Sequence, residues 1–191
     1  MRTTIPGTIT TVMHEVVQFS IGTGLSFDDL RTSYERAVPS FDTARFSEMA
    51  PEPVTWDTVL AATAENAAHG FVRYWSSGVG GLARLSVAAD TGSCTTYLMG
   101  NHTIAHRVYT RDPAVLVAPQ RTTIHEDRQG AAWFSVEQPS TRFATFGNPA
   151  ITKVGLELDA KLADLLRFLD IPVPPALTVI RRTNQIVPIE P

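Results

Sequence analysis

The segment Val115-Leu-Val-Ala-Pro-Gln-Arg-Thr-Thr-Ile-His-Glu126, the turn Asp127-Arg-Gln-Gly130 and the run Ala131-Ala-Trp-Phe-Ser-Val-Glu137 read as an antiparallel hairpin. Both arms are rich in β-branched and aromatic residues, and the joint between them is polar and ends in glycine. Side chains alternate along a strand, so Arg121, Thr123 and His125 share one face and Ile124 takes the other. Downstream, Asn148 caps a helix with Pro149 at its first position, where a missing N–H costs nothing. Ile151, Val154, Leu158, Leu162, Leu165, Leu166 and Leu169 give that helix one apolar stripe, with Glu157 and Lys161 paired on its exposed side.

Working outward, strand and helix patterns alternate. His14 to Ser20 reads as a strand and Gly22-Thr-Gly24 as a turn. Ser26 is an N-cap with Asp29 three residues on, and Phe27, Leu30, Tyr34 and Ala37 recur at helical spacing up to Pro39. Residues 39–55, with Pro39, Pro51 and Pro53, read as a loop. Thr55 caps a second helix to His69, with Val59, Leu60, Thr63, Ala64 and Ala67 on one side and Gly70 as its stop. Phe71 to Trp75 and Ala83 to Val87 are strands joined through Ser76 to Gly81, a hairpin rather than a phosphate cradle because no helix follows. Thr95 to Met99 is a further strand, and a short helix runs from His102 to about Thr110. Pro172, Pro174 and Pro175 break the chain before a last extended segment, Leu177 to Ile180.

Hairpins with helices between them predict an α+β fold, an antiparallel sheet with helices packed on one face. Residues 1–170 form a single α+β domain in this reading, and 171–191 a proline-rich C-terminal extension. With 191 residues, 43% hydrophobic and 18% charged, the chain has material for one substantial core. The net charge is -3, and only Lys153 and Lys161 are lysines, so no basic stripe marks a nucleic-acid partner. No apolar run approaches the roughly 18 residues of a membrane span. The start, Met1-Arg-Thr-Thr-Ile-Pro-Gly7, lacks an apolar signal core, so the expectation is a cytoplasmic protein. Cys94 is the single cysteine, which excludes an internal disulfide. Nucleotide-loop and Gly-x-Ser-x-Gly motifs are missing from the sequence.

Tyr97-Leu-Met-Gly-Asn101, Ile104-Ala105, Arg107, Asp112-Pro113, Ala118-Pro119 and Arg121 follow one another in order. Glu126-Asp127, Pro139-Ser140, Phe146-Gly-Asn-Pro149 and Gly155-Leu-Glu-Leu-Asp-Ala-Lys-Leu162 continue the series. Over residues 97–169 this pattern resembles a bacterial domain-of-unknown-function family, DUF302. The resemblance implies a TBP-like two-layer sandwich, a curved antiparallel sheet backed by helices, and a homodimer; it brings no established catalytic residues. Two positions depart from the family pattern: its proline after Gly-Asn is His102 here, and its acidic or polar residue before the arginine is His106.

His102 and His106 lie four apart, so a helix stacks them on one face with Tyr109 a further turn along, and Ile104, Ala105 and Val108 opposite. With Asn101 as cap, the helix dipole disfavours imidazolium at His102 and leaves a neutral base. As zinc ligands the pair needs a third partner, His125 or Glu126. Arg107 and Arg121 either clamp a ligand oxygen or pair internally with Asp112, Glu126 or Asp127. Cys94 reads as a small buried residue, and Trp56, Trp75, Trp133, Phe134, Phe143 and Phe146 as core.

The leading expectation is a cofactor-independent small-molecule-binding protein with isomerase, cyclase or lyase chemistry. His102, His106, Arg107 and Arg121 would be catalytic, and Tyr97, Asn101, Tyr109, His125, Trp133 and Phe146 would line its pocket, with no metal. The alternatives are a non-catalytic homodimeric interaction module and a His-ligated metal enzyme. The catalytic expectation requires both imidazoles to face an enclosed hollow shared with Arg121.

Overall fold

The computed structural model describes residues 13–49, 55–78, 92–108 and 117–178, with isolated positions at 7, 9 and 11. Strand β1 (Gln18–Gly22) leads through a turn, with Gly24 at φ +70°, into α1 (Phe27–Ala37). Ser26 caps α1 by accepting the Asp29 N–H and donating to the Asp29 carboxylate, and Phe27, Leu30, Tyr34 and Ala37 are buried as the spacing predicts. Helices α2 (Thr43–Met49) and α3 (Trp56–Asn66) precede β2 (Val72–Gly78) and β3 (Cys94–Gly100). A four-residue helix, α4 (His102–Ala105), leads on to the hairpin of β4 (Gln120–Glu126) and β5 (Ala132–Glu137). The chain ends in α5 (Pro139–Ala144), α6 (Pro149–Phe168) and a 3-10 turn, Pro175–Leu177.

The sheet has five strands in the order β1-β5-β4-β3-β2, each pair antiparallel, so the predicted hairpin sits at its centre. Ile21, Tyr97, Met99, Ile124, Phe134 and Val136 point to one face and are buried there with Leu30 and Tyr34 of α1 and Leu162, Leu165 and Leu166 of α6. This is an α+β fold with its helices on one side, as expected. No described helix packs on the other side, the outer face.

Several local expectations need correction. The run 39–55 is not all loop: Thr43–Met49 contains no proline, and the Asp42 carboxylate accepts the Arg45 N–H to start a helix there. Of the side chains expected inward on α3, Thr63 and Ala67 are buried, whereas Leu60 and Ala64 are exposed and Ala62 is buried instead. Trp56 and Trp75 are exposed rather than core, at 44% and 50% of their surface. Strand β1 begins four residues later and ends two residues later than predicted, and the extended segment at Leu177 starts as a 3-10 turn. Strand Ala83 to Val87, Asp112-Pro113, Tyr109 and the tail after Thr178 lie outside the described residues.

Chain beyond Asp170 belongs to the core as far as Leu177. Ile171 and Leu177 are buried, and the Gln138 side chain donates to the Ala176 carbonyl at 3.2 Å. Truncation after Asp170 therefore removes core side chains; a cut after Thr178 isolates the tail.

Candidate functional site

The two histidines of α4 meet α3, not a hollow. His102 Nε2 lies 2.6 Å from Thr63 Oγ1, and Thr63 Oγ1 also lies 2.7 Å from the Val59 carbonyl. A hydroxyl has one proton, and the carbonyl can only accept, so His102 Nε2 carries the hydrogen and donates to Thr63. The other ring nitrogen, Nδ1, then accepts from the Tyr74 hydroxyl at 3.4 Å. The Phe41 ring packs edge-on, with centroids 5.4 Å apart. His106 packs against Trp56 in a tilted arrangement with centroids 4.4 Å apart, and its Nδ1 lies 2.5 Å from the Thr103 carbonyl.

Burial lowers the pKa of His102 from its ordinary 6.5, so desolvation rather than a helix dipole keeps it neutral. The unfolded chain then binds a proton at higher pH than the folded one. Stability is fully present above about pH 6.5 and falls as pH drops below that value, until the folded group also protonates. Urea melts between about pH 7.5 and 5.5 should show a smaller acid loss in His102→Gln than in the wild type. Equal losses would remove His102 as the source.

Three more expected site residues hold the fold together. Asn101 is buried: its carbonyl oxygen accepts the Ile104 N–H at 2.9 Å and the Thr103 hydroxyl at 2.6 Å, and its amide donates to the Gly70 carbonyl at 2.6 Å. Tyr97 is buried in the core, packs at a tilt against the Tyr34 ring with centroids 4.8 Å apart and donates to Glu35, which also pairs with Arg73 at 3.2 Å. Arg107 forks onto both oxygens of Glu157 on α6. This is the internal pairing considered above with a different partner, and it takes Glu157 from the expected pair with Lys161. The arginine holds the Glu157 carboxyl below its ordinary pKa. Phe146 packs half-buried against the core.

Arg121, His125 and Trp133 stand apart from all of these, on the outer face of the sheet. Their neighbours in the strands, Thr122, Ile124 and Phe134, are buried beneath the helices, so alternation turns them the other way. The imidazoles of α4 and the Arg121 guanidinium therefore do not share a cleft, and the expected catalytic constellation is not assembled. The physical reason is that four-residue spacing says which side chains share a helix face, not what that face meets.

The outer face has its own order. Ser77, Thr96, Thr123, Ser135 and Ser20 are register partners, one from each of the five strands, and form a row of hydroxyls across the sheet. Ser20 and Ser135 touch at 3.1 Å, and Thr96 and Thr123 at 3.4 Å. On one side of this row runs Trp75, Leu98 and Arg121; on the other, Cys94, His125 and Trp133. The Trp133 indole donates to Asp127 at 2.8 Å and lies over Gly22, where an added Cβ would meet ring carbons at 3.6–3.7 Å. That indole N–H, with the Ala131 and Gln129 amides, keeps the Asp127 carboxyl below its ordinary pKa. Burial pushes the Cys94 thiol up, away from a reactive thiolate.

At one end this face deepens into a groove of about 520 Å³, lined among others by Gln18, Gln120, Arg121, Thr123, Ser135 and Arg142. Arg142 pairs with Glu137 at 3.1 Å. Arg121 is exposed and has no hydrogen-bond or ion-pair partner among the described residues. Gln18, Glu137, Arg142 and the hydroxyl row were missed as site residues. The alternation Trp133, Ser135, Glu137 opposite Arg121, Thr123, His125 was the signal that could have found part of them.

A family model described as Domain of unknown function DUF302 matches residues 51–169. The chain belongs to this family. Among solved structures it is similar to an uncharacterized conserved DUF302 protein from Bacillus stearothermophilus, at 12% identity and a TM-score of 0.56. That similarity covers 80% of this chain and 97% of the other, and it establishes a shared fold. No curated protein matches the chain. In this DUF302 protein several residues that carried the resemblance have architectural explanations: Asn101 as a cap, Arg107 as a tie to α6, and Asp127 as the anchor of a turn. Among the described charged residues of that pattern, Arg121 and Lys161 have no hydrogen-bond or ion-pair partner, and Arg121 is the one that lines the groove. No helix among the described residues is long and apolar enough to cross a membrane.

Proposed function

We propose that this protein binds a small anionic molecule in the groove on the outer face of its sheet, with Arg121 as the anchor. The observation that supports this most is an exposed guanidinium, unpaired among the described residues, at the wall of a groove of about 520 Å³. A guanidinium offers a planar fork of donors that matches a carboxylate or phosphate. The nearby carboxylate, Glu137, is already engaged by Arg142, so the groove keeps a net cationic character. No histidine lines the groove, so proton-shuttling chemistry by His102 or His106 does not belong to this reading.

The two alternatives find less support. Among the described residues no three His, Cys, Asp or Glu side chains converge on a possible metal position. A face crossed by five hydroxyl-bearing residues is better suited to water and polar ligands than to burial under a second copy.

Thermal melts and calorimetry with phosphate, acetate, succinate and citrate test the proposal. At least one anion should raise the melting temperature of the wild type. Arg121→Ala should weaken its binding by roughly 10- to 100-fold, the loss of about 1.5–3 kcal/mol in charge-assisted hydrogen bonds. Wild-type protein indifferent to every anion, or a variant that binds as well, would refute it.

A further inference from the structure

The outer face says more about the ligand than its charge. Thr123 and Ser135 belong both to the hydroxyl row and to the lining of the groove that holds Arg121. They follow Arg121 and precede Glu137 by two residues along adjacent strands, so they point the same way as the guanidinium, one step further along the sheet. A hydroxyl both gives and takes hydrogen bonds, so Ser135 and Thr123, each sharing one such bond within the row with Ser20 and Thr96, keep further capacity for a ligand. The ligand chemistry that matches such a row is another set of hydroxyls.

We infer that the ligand is a polyhydroxylated carboxylate, of the sugar-acid class. Its carboxylate sits on Arg121 and its hydroxyls on Thr123 and Ser135. This rests on the anion-binding reading of the same groove and narrows it. Charge complementarity selects the acid over the neutral sugar, and the hydroxyl row selects the sugar acid over a plain fatty or dicarboxylic acid.

The probes are D-glucuronate, hexanoate and D-glucose, titrated calorimetrically into the full chain and into a Thr123→Val/Ser135→Ala variant. Both substitutions lie on the outer face, away from the core, and thermal melts confirm that the variant is folded. Wild-type protein should bind D-glucuronate at least tenfold tighter than hexanoate and than D-glucose. The double variant should lose the preference, its D-glucuronate affinity falling at least tenfold toward that for hexanoate. Equal binding of D-glucuronate and hexanoate overturns this inference and leaves anion binding standing. Binding of D-glucose equal to that of D-glucuronate overturns the assignment of the carboxylate to Arg121. If neither acid binds, this inference fails, and the anion-binding reading stands or falls on the phosphate, acetate, succinate and citrate series.

Discussion

Replacing Asp159 by alanine is expected to cost about 3 kcal/mol of folding stability, the penalty for leaving buried polar groups unpaired. Asp159 sits in α6 with 3% of its surface exposed. One of its carboxylate oxygens accepts the Ser140 N–H at 2.9 Å, and the other accepts the Gln138 amide at 2.8 Å. Ser140 lies in the first turn of α5, whose free N–H groups need an acceptor, and Gln138 supplies no side-chain cap. The carboxylate thus does from a neighbouring helix what a cap residue does locally. The same Gln138 amide reaches Ala176, so one acid ties β5, α5, α6 and the chain after α6 together. For a domain of this size about 3 kcal/mol corresponds to a fall of roughly 6–12 °C in melting temperature. Asn at this position keeps one acceptor but turns an amide N–H toward a donor, and should recover only part of the loss. A melting temperature within about 2 °C of wild type for Asp159→Ala would show that the node is dispensable.

Gly155→Ala is the second large effect, and here two terms oppose each other. Alanine is the better helix former by about 1 kcal/mol. An added Cβ at position 155, however, would stand 2.7 Å from the Ser140 Cα and 2.9 Å from the Phe143 Cβ. The first of these is backbone of α5 and cannot move aside as a flexible side chain would. Overpacking of this kind costs typically 1–3 kcal/mol, and a clash with backbone belongs at or beyond the upper end. The net expectation is a loss of about 2 kcal/mol, or roughly 4–8 °C in a thermal melt. A rise in melting temperature would mean that the helical preference wins and that α5 and α6 are not held so closely.

What the sequence made legible were the features written in short-range patterns. The hairpin of β4 and β5 follows from alternation, and α1 and α6 from cap residues followed by apolar side chains at helical spacing. Helix α2 was hidden because prolines on either side outweighed a proline-free run between them. The buried side of α3 was misjudged because Val59-Leu-Ala-Ala-Thr-Ala64 is small or apolar all round, so no stripe stands out. The candidate site failed for a different reason. Spacing correctly grouped Arg121 with Thr123 and His125, but placing that group opposite His102 required knowing which side of the sheet the helices cover. Ile124 was the clue, since a buried isoleucine between half-buried polar neighbours turns the arginine away from the core. Hydroxyls aligned across strands were invisible, because cross-strand register depends on connections far longer than any motif.

The one-sided layering also shapes how such a protein can change over generations. Ser20, Ser77, Thr96, Thr123 and Ser135 contribute nothing to the apolar cluster that holds the domain together. Exchanges at those five positions can therefore accumulate with little penalty in folding, while each one alters the polar character of the outer surface. If that face holds the proposed ligand, evolution is free to retune selectivity there in small steps, with the scaffold behind it left alone.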